Sequence, residues 1–125
     1  DQTPTSSGTT VKNTTSSNLH YWANNYVAFE NGAFAIEFDL ISYTNSTAPC
    51  FRFQGTNSHV LGFKDIGCPQ NSYLKILVTG SKIQYQIDNG TLTDWITTSE
   101  TTFKIGFRFE GVCEITYKNF KVYPI

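Results

Sequence analysis

The 125 residues suit one domain with a single hydrophobic core and leave no room for two. Aromatic residues make up 15% of the chain, charged residues only another 15%, and nine basic against ten acidic side chains give a net charge of −1. That balance supplies no field to draw nucleic acid or an anionic membrane, and no apolar run approaches the length of a bilayer span.

Residues 1–17 are rich in Thr, Ser, Gly and Asn, with Val11 the one aliphatic side chain. The stretch reads as a linker leading into a module over 18–125, with Thr9–Asn13 as a candidate first edge strand. From Leu19 onwards the apolar period is two. Tyr26-Val27-Ala28-Phe29 leads to Asn31-Gly32, a tight-hairpin dipeptide. Phe34, Ile36, Phe38 and Leu40 then share one face of a strand, with Ala35, Glu37, Asp39 and Ile41 on the other. Phe51 and Phe53 alternate with Arg52 and Gln54, and a polar turn over Gly55–Ser58 leads into Val60-Leu61-Gly62-Phe63.

Leu74, Ile76 and Val78 mark a further strand that turns at Thr79-Gly80-Ser81 into Ile83, Tyr85 and Ile87. Asn89-Gly90 closes it, and Trp95 and Ile96 follow in a Thr-rich stretch. Phe103, Ile105, Phe107 and Phe109 alternate with Lys104, Gly106, Arg108 and Glu110. The last strand carries Ile115 and Tyr117 and changes phase at Lys118-Asn119 before Phe120 and Val122, which predicts a bulge. No helical period appears. Short strands with one apolar face each predict an all-β, two-sheet antiparallel sandwich. The predicted core is Phe34, Ile36, Phe38, Phe53, Leu74, Ile76, Ile83, Tyr85, Phe103, Ile105, Phe107 and Phe120.

Three cysteines, Cys50, Cys68 and Cys113, allow at most one bridge within the chain. Two readings stand: three small buried hydrophobes, or a Cys50–Cys68 bridge closed by the hairpin between them, with Cys113 left as a buried thiol. The triplets beginning at Asn13, Asn45 and Asn89 are candidate N-glycosylation sites. With the candidate bridge and the low charge, they point to an extracellular or cell-surface chain.

Tyr73-Leu74-Lys75-Ile76-Leu77-Val78, a Gly80 turn and Lys82 to Gly90 resemble the paired strands of concanavalin A-like and laminin-G-like jelly rolls. Ala33 to Leu40 is similar to one of their early strands, and Ile115 to Tyr123 to their final one. The resemblance covers about Tyr26 to Tyr123. It implies a jelly roll, a fold shared by lectins, glycan-binding modules, glycosidases and adhesive domains. The jelly-roll glucanases carry Glu-x-Asp-x-x-Glu on such a strand. Here Glu37 and Asp39 match, about 7 Å apart along one sheet face, but Ser42 stands where the last acid belongs. The resemblance therefore implies a protein that is not an enzyme.

Glu37, Asp39, Arg52, Gln54, Lys75, Gln84 and Gln86 are expected to share one outer face, where amides and charged groups suit a hydroxyl-rich sugar; an ordinary solvated face carries the same pattern. Tyr21 and Trp22, beside His20, and also Trp95, are candidate stacking residues or caps on the core. His59 reads as a surface residue. Asp65, Asp88 and Asp94 are candidate calcium ligands, yet sequence shows no converging cluster; no cofactor or metal is expected. The leading expectation is a non-catalytic glycan-binding module of a surface adhesin, one part of a larger multidomain chain whose partner is a glycan or other cell-surface ligand. A structural or protein-binding domain is second, and a glycosidase third.

Overall fold

The computed structural model describes residues 2–5, 8–14, 19–28, 33–44, 50–54, 58–63, 65–79, 82–97, 102–109 and 111–125, with residues 2–5, 19–28, 50, 53–54, 58 and 102–103 described by their backbone. The strands are β1 (Gln2–Thr5), β2 (Gly8–Asn13), β3 (Leu19–Ala28), β4 (Ala33–Tyr43), β5 (Cys50–Gln54), β6 (Ser58–Gly62), β7 (Ser72–Thr79), β8 (Lys82–Ile87), β9 (Thr93–Thr97), β10 (Thr102–Phe109) and β11 (Cys113–Pro124). They form two antiparallel sheets, one ordered β1-β2-β11-β4-β7-β8-β9 and one ordered β3-β10-β5-β6. The protein is an all-β jelly-roll sandwich. No helix among the described residues is long and apolar enough to cross a membrane.

Period-two patterning decides which face each strand buries. Phe34, Ile36, Phe38 and Leu40 of β4 are fully buried and pair with Val78, Ile76, Leu74 and Ser72 of β7. From the other sheet, Phe51, Ile105, Phe107 and Phe109 meet them, also at 0% exposure. Phe38 sits at the centre of the aromatic packing. Its ring lies 5.8 Å from Phe51 and 5.7 Å from Phe107 across the sandwich, and 5.6 Å from Phe120. Such centroid separations are those of offset-stacked and edge-to-face aromatic pairs.

Eight of the predicted core residues, Phe34, Ile36, Phe38, Leu74, Ile76, Ile83, Ile105 and Phe107, are buried, and Tyr85 and Phe120 pack partly buried against them. The side chains of Phe53 and Phe103 lie outside the described residues. Leu40, Phe51, Leu61, Phe63, Phe109, Ile115 and Tyr117 are among the buried core residues outside that prediction.

The strand expected at Thr9–Asn13 forms as β2, in a hairpin with β1, but it lies inside the sheet between β1 and β11 and not at its edge. Val11 is 2% exposed there, and Thr10 shares a 2.8 Å hydroxyl hydrogen bond with Thr116. Gly8 enters β2 at φ 130, where a Cβ would lie 2.6 Å from the Tyr117 carbonyl oxygen. The hairpin expected around Asn31-Gly32 does not form, because β3 and β4 belong to different sheets; the turn residues themselves lie outside the described residues. The predicted bridge is absent as well. Cys68 and Cys113 are buried free thiols, although β5 and β6 do form the hairpin that motivated the Cys50–Cys68 pairing.

The other local signals hold. β7 and β8 pair as a hairpin, as do β8 and β9 around Asn89-Gly90. The β11 bulge falls between Lys118 and Lys121, with Asn119 at φ 57. A left-handed residue there advances the strand's phase, so that Phe120 packs against the core beside Tyr117.

Candidate functional site

Register divides the predicted site residues between two faces. On the outer face of the seven-stranded sheet, Glu37 stands opposite Lys121 on one side and Lys75 on the other, and Lys75 opposite Gln86. The neighbouring rows are Lys118, Asp39 and Tyr73, and Tyr123, Ala35, Leu77, Gln84 and Asp94. Glu37, Asp39, Lys75, Gln84 and Gln86 therefore share a face as expected. Arg52 and Gln54 do not: β5 lies in the four-stranded sheet, on the far side of the sandwich. Strands that each bury one face look alike in sequence whichever sheet they join, so alternation placed them on an outer face without naming which one.

Trp22 and Tyr21 also lie in the four-stranded sheet, at positions opposite Gly106 and Phe107. Trp22 holds a register position on the row of Arg52, and Tyr21 one on the inward row of Phe107 and Phe51. His59 is no plain surface residue. It is half-buried opposite Phe53, with its Nε2 atom buried.

The groove is built around the β11 bulge. Two adjoining depressions share Asp39 and Tyr73. One, of about 530 Å³, is also lined by Asn119, Phe120 and Lys121; the other, of about 320 Å³, by Ile41, Asn71, Ser72, Asp88 and Lys118. Asn119 donates from Nδ2 to Asp39 Oδ2 at 2.7 Å, and Asp88 Oδ1 accepts from the Tyr73 amide at 2.9 Å. These bonds fix both carboxylates while leaving each a second oxygen to accept from a ligand.

Glu37 plays a different part. The Tyr73 hydroxyl donates to its Oε1, and Lys121 Nζ lies 3.9 Å from the same oxygen. Hydrogen bonding with Glu37, with burial and the carboxylate charge behind it, pushes the Tyr123 phenol up to about 12. A carboxylate so engaged, with its side chain 12% exposed, ties β4, β7 and β11 together and positions the groove wall.

A separate depression of about 490 Å³ lies at the β8–β9 edge, lined by Lys82, Asp94, Trp95, Ile96 and Thr97. The register slips between Ile83 and Gln84, which leaves Trp95 as the extra residue of a bulge. Trp95 packs half-buried against the core while lining this hollow. Asp94 accepts from Gln84 Nε2 at 2.8 Å and pairs with Lys82 at 3.2 Å; the Gln84 bond and then Lys82 hold its carboxyl below the ordinary range. Gln86 donates to the Gly90 carbonyl at 2.8 Å, which braces the turn.

Sequence reasoning missed Tyr73, Asn119, Lys121 and Tyr123. Tyr73 was readable, since it alternates with core Leu74 in β7. The others depend on where the bulge reverses the phase of β11.

Among the described residues no three His, Cys, Asp or Glu side chains converge on a metal-sized site. Asp88 and Asp94 bond to separate partners, and Asp65 lies beside Gly62. Asn13 is 4% exposed and donates from Nδ2 to the Gly111 carbonyl at 2.8 Å, so the folded chain has no room for a glycan there. Asn89 is exposed in its turn, and Asn45 lies outside the described residues. Cys68 is 1% exposed, and burial pushes its thiol up to about 11 against the pull of the Ser72 hydroxyl.

No protein-family model and no curated protein sequence matches this chain. Solved structures are similar in fold. A functionally unknown protein from Saccharomyces cerevisiae superposes with a TM-score of 0.67 at 7% identity, over 100% of this chain and 92% of that one. The SPRY domain of human HERC1 superposes with a TM-score of 0.63 at 7% identity, over 99% of this chain and 92% of that one. Identity this low speaks for architecture alone, and what these neighbours share with the chain is the jelly-roll sandwich.

Proposed function

We propose that this domain is a non-catalytic binding module of an extracellular surface protein, and that the groove beside the β11 bulge takes a hydroxyl-rich, glycan-type ligand. One observation carries the reading: two adjoining depressions share Asp39 and Tyr73 and set carboxylate, amide, phenol and ammonium groups along their walls. A sugar needs such closely spaced donors and acceptors, and the bonds from Asn119 and to the Tyr73 amide hold the acceptors in place before binding. Trp95, with Asp94 and Lys82, offers a second contact at the sheet edge.

The engagement of Glu37 by two tyrosines and its approach to Lys121 favour a positioning role over a nucleophilic one. Ser42, where the glucanase pattern has its last acid, weighs the same way.

A glycan array probed with the folded domain tests the reading. Binding that falls at least about tenfold in Asp39→Ala is the expected result, because loss of a charge-assisted hydrogen bond costs roughly 1.5–3 kcal/mol. Silence across the array from a folded sample would sink it. Hydrolysis of β-glucans that disappears in Glu37→Gln would replace it with the enzyme reading.

A further inference from the structure

The fold treats the Asn13 and Asn89 triplets in opposite ways. Asn13 is buried and bonded to the Gly111 carbonyl, whereas Asn89, Gly90 and Thr91 are all exposed. Asn89 also has a telling neighbour, because Asp88 forms part of the groove wall. Asp88 stands at φ 54, in the left-handed region that Asp and Asn enter more readily than most residues. Its amide donates to the Tyr73 carbonyl at 2.7 Å, and its Oδ1 accepts from the Tyr73 amide at 2.9 Å. Tyr73 lines both hollows of the groove, so the turn is tied to a residue at their junction.

The other side of the turn is braced as well. The Gly90 amide donates to the Ile87 carbonyl at 3.0 Å, and Gln86 Nε2 donates to the Gly90 carbonyl at 2.8 Å. The backbone is thus held before and after Asn89. Consecutive Cα atoms lie about 3.8 Å apart, which anchors anything attached to Asn89 one residue from the wall of the 320 Å³ hollow. Asn89 itself lines neither hollow, and no residue of this turn lines the 530 Å³ one. A modification at Asn89 therefore removes no contact with a ligand. It acts through the bulk of what it carries.

We propose that Asn89 carries an N-linked glycan that gates the groove, sweeping over the smaller hollow and competing with ligand for it. The inference rests on the groove and the extracellular setting proposed above. Attachment moves an oligosaccharide from a lipid-linked diphosphate donor: its C1 leaves the phosphate oxygen and bonds to Asn89 Nδ2, which loses one proton. No charge on the protein changes. The bonds that hold the turn belong to Asp88, Gly90 and Gln86 and stay intact. The glycan thus works by covering the site and not by reshaping it. Cover for about two-thirds of the time leaves one-third of the molecules competent and weakens apparent affinity about threefold. Occupancy of Asn89 becomes a control on binding strength that needs no change of sequence.

The test compares the chain made in a bacterial cytoplasm, without glycans, with the chain secreted by a glycosylating host behind a cleavable signal. Each is made as the native sequence and as Thr91→Ala. Thr91 is exposed, and its carbonyl, which accepts from Thr93 Oγ1 at 3.2 Å, survives the substitution. The Asn13 and Asn45 triplets are intact in every sample, so the secreted pair differ in the glycan at Asn89 alone. Peptide mass spectrometry reads occupancy, and titration on one printed array of oligosaccharides reads binding. The secreted native chain should be occupied at Asn89 and need at least about threefold more protein for half-saturation than secreted Thr91→Ala. The two bacterial samples should titrate alike. Equal curves for the secreted pair overturn the gate and leave the groove reading standing, as does an unoccupied Asn89 in folded, secreted protein. A difference between the bacterial samples overturns the gate too, since no glycan is there to act. Silence from both bacterial samples overturns the groove reading and the gate with it.

Discussion

Replacing Phe38 with Ala tests the aromatic packing that joins the two sheets. The ring is fully buried and meets Phe51 and Phe107 across the interface, Tyr117 at 6.3 Å, and Phe120 at the bulge. Loss of a buried Phe side chain removes about 2–3 kcal/mol of transfer free energy. The cavity left between two hydrogen-bonded sheets, which cannot collapse freely, brings the total to about 3–5 kcal/mol. A chain of this length has a total stability of roughly 6–19 kcal/mol, so the variant should fold with a much reduced margin. Urea unfolding followed by tyrosine and tryptophan fluorescence should show the midpoint falling by about 2 M, for a slope near 2 kcal/mol per molar. Val60→Ala, at a side chain 38% exposed, should shift it by less than about 0.3 M on the same slope. A Phe38→Ala loss under about 1.5 kcal/mol would refute the placement of this ring at the centre of the core.

Gly8→Ala should destabilise the domain by about 1–3 kcal/mol, measured by thermal melting, because the new Cβ meets the Tyr117 carbonyl at a φ that L residues avoid; an unchanged Tm would contradict the β2–β11 contact. Iodoacetamide at pH 8 should leave Cys68 unmodified in the native protein and label it in urea without reductant, since the thiol is buried, raised to about 11 and free. Labelling that requires reductant would restore the bridge. Ultraviolet titration should find one tyrosine ionising near pH 12, and Glu37→Gln should return it towards 10. Because the folded value lies above the unfolded one, the stability linked to Tyr123 is complete below pH 10 and is lost as pH rises from 10 to about 12. A Glu37→Gln variant with the same titration would separate the two groups.

The sandwich was legible because alternation is a local property. Phe34 to Leu40 declares its buried face within one strand, and the phase change at Lys118-Asn119 announced the bulge that the structure contains. Sheet membership was not legible. Nothing within Cys50–Gln54 distinguishes a partner in β4 from one in β10, so Arg52 and Gln54 were assigned to the wrong face of the sandwich. Val11 looked like a lone apolar residue in a polar tract because its partner, Ile115, lies about a hundred residues away. The groove suffered from the same distance: Asp39 and Asn119 meet only after β4 and β11 have paired.

The hairpin of β1 and β2 has a consequence for how the chain acquires its structure. Val11 gains its place against Ile115, and Thr10 its bond to Thr116, only when β11 is available. β1 and β2 must therefore wait for a strand about a hundred residues further along, a long loop closure of the sort that slows folding. Until then β11 has its β4 side to pair with and an open edge where β2 will lie, a template for any other strand in reach. Correct self-association of the two distant segments and unwanted joining of neighbouring molecules thus compete for one row of backbone amides and carbonyls.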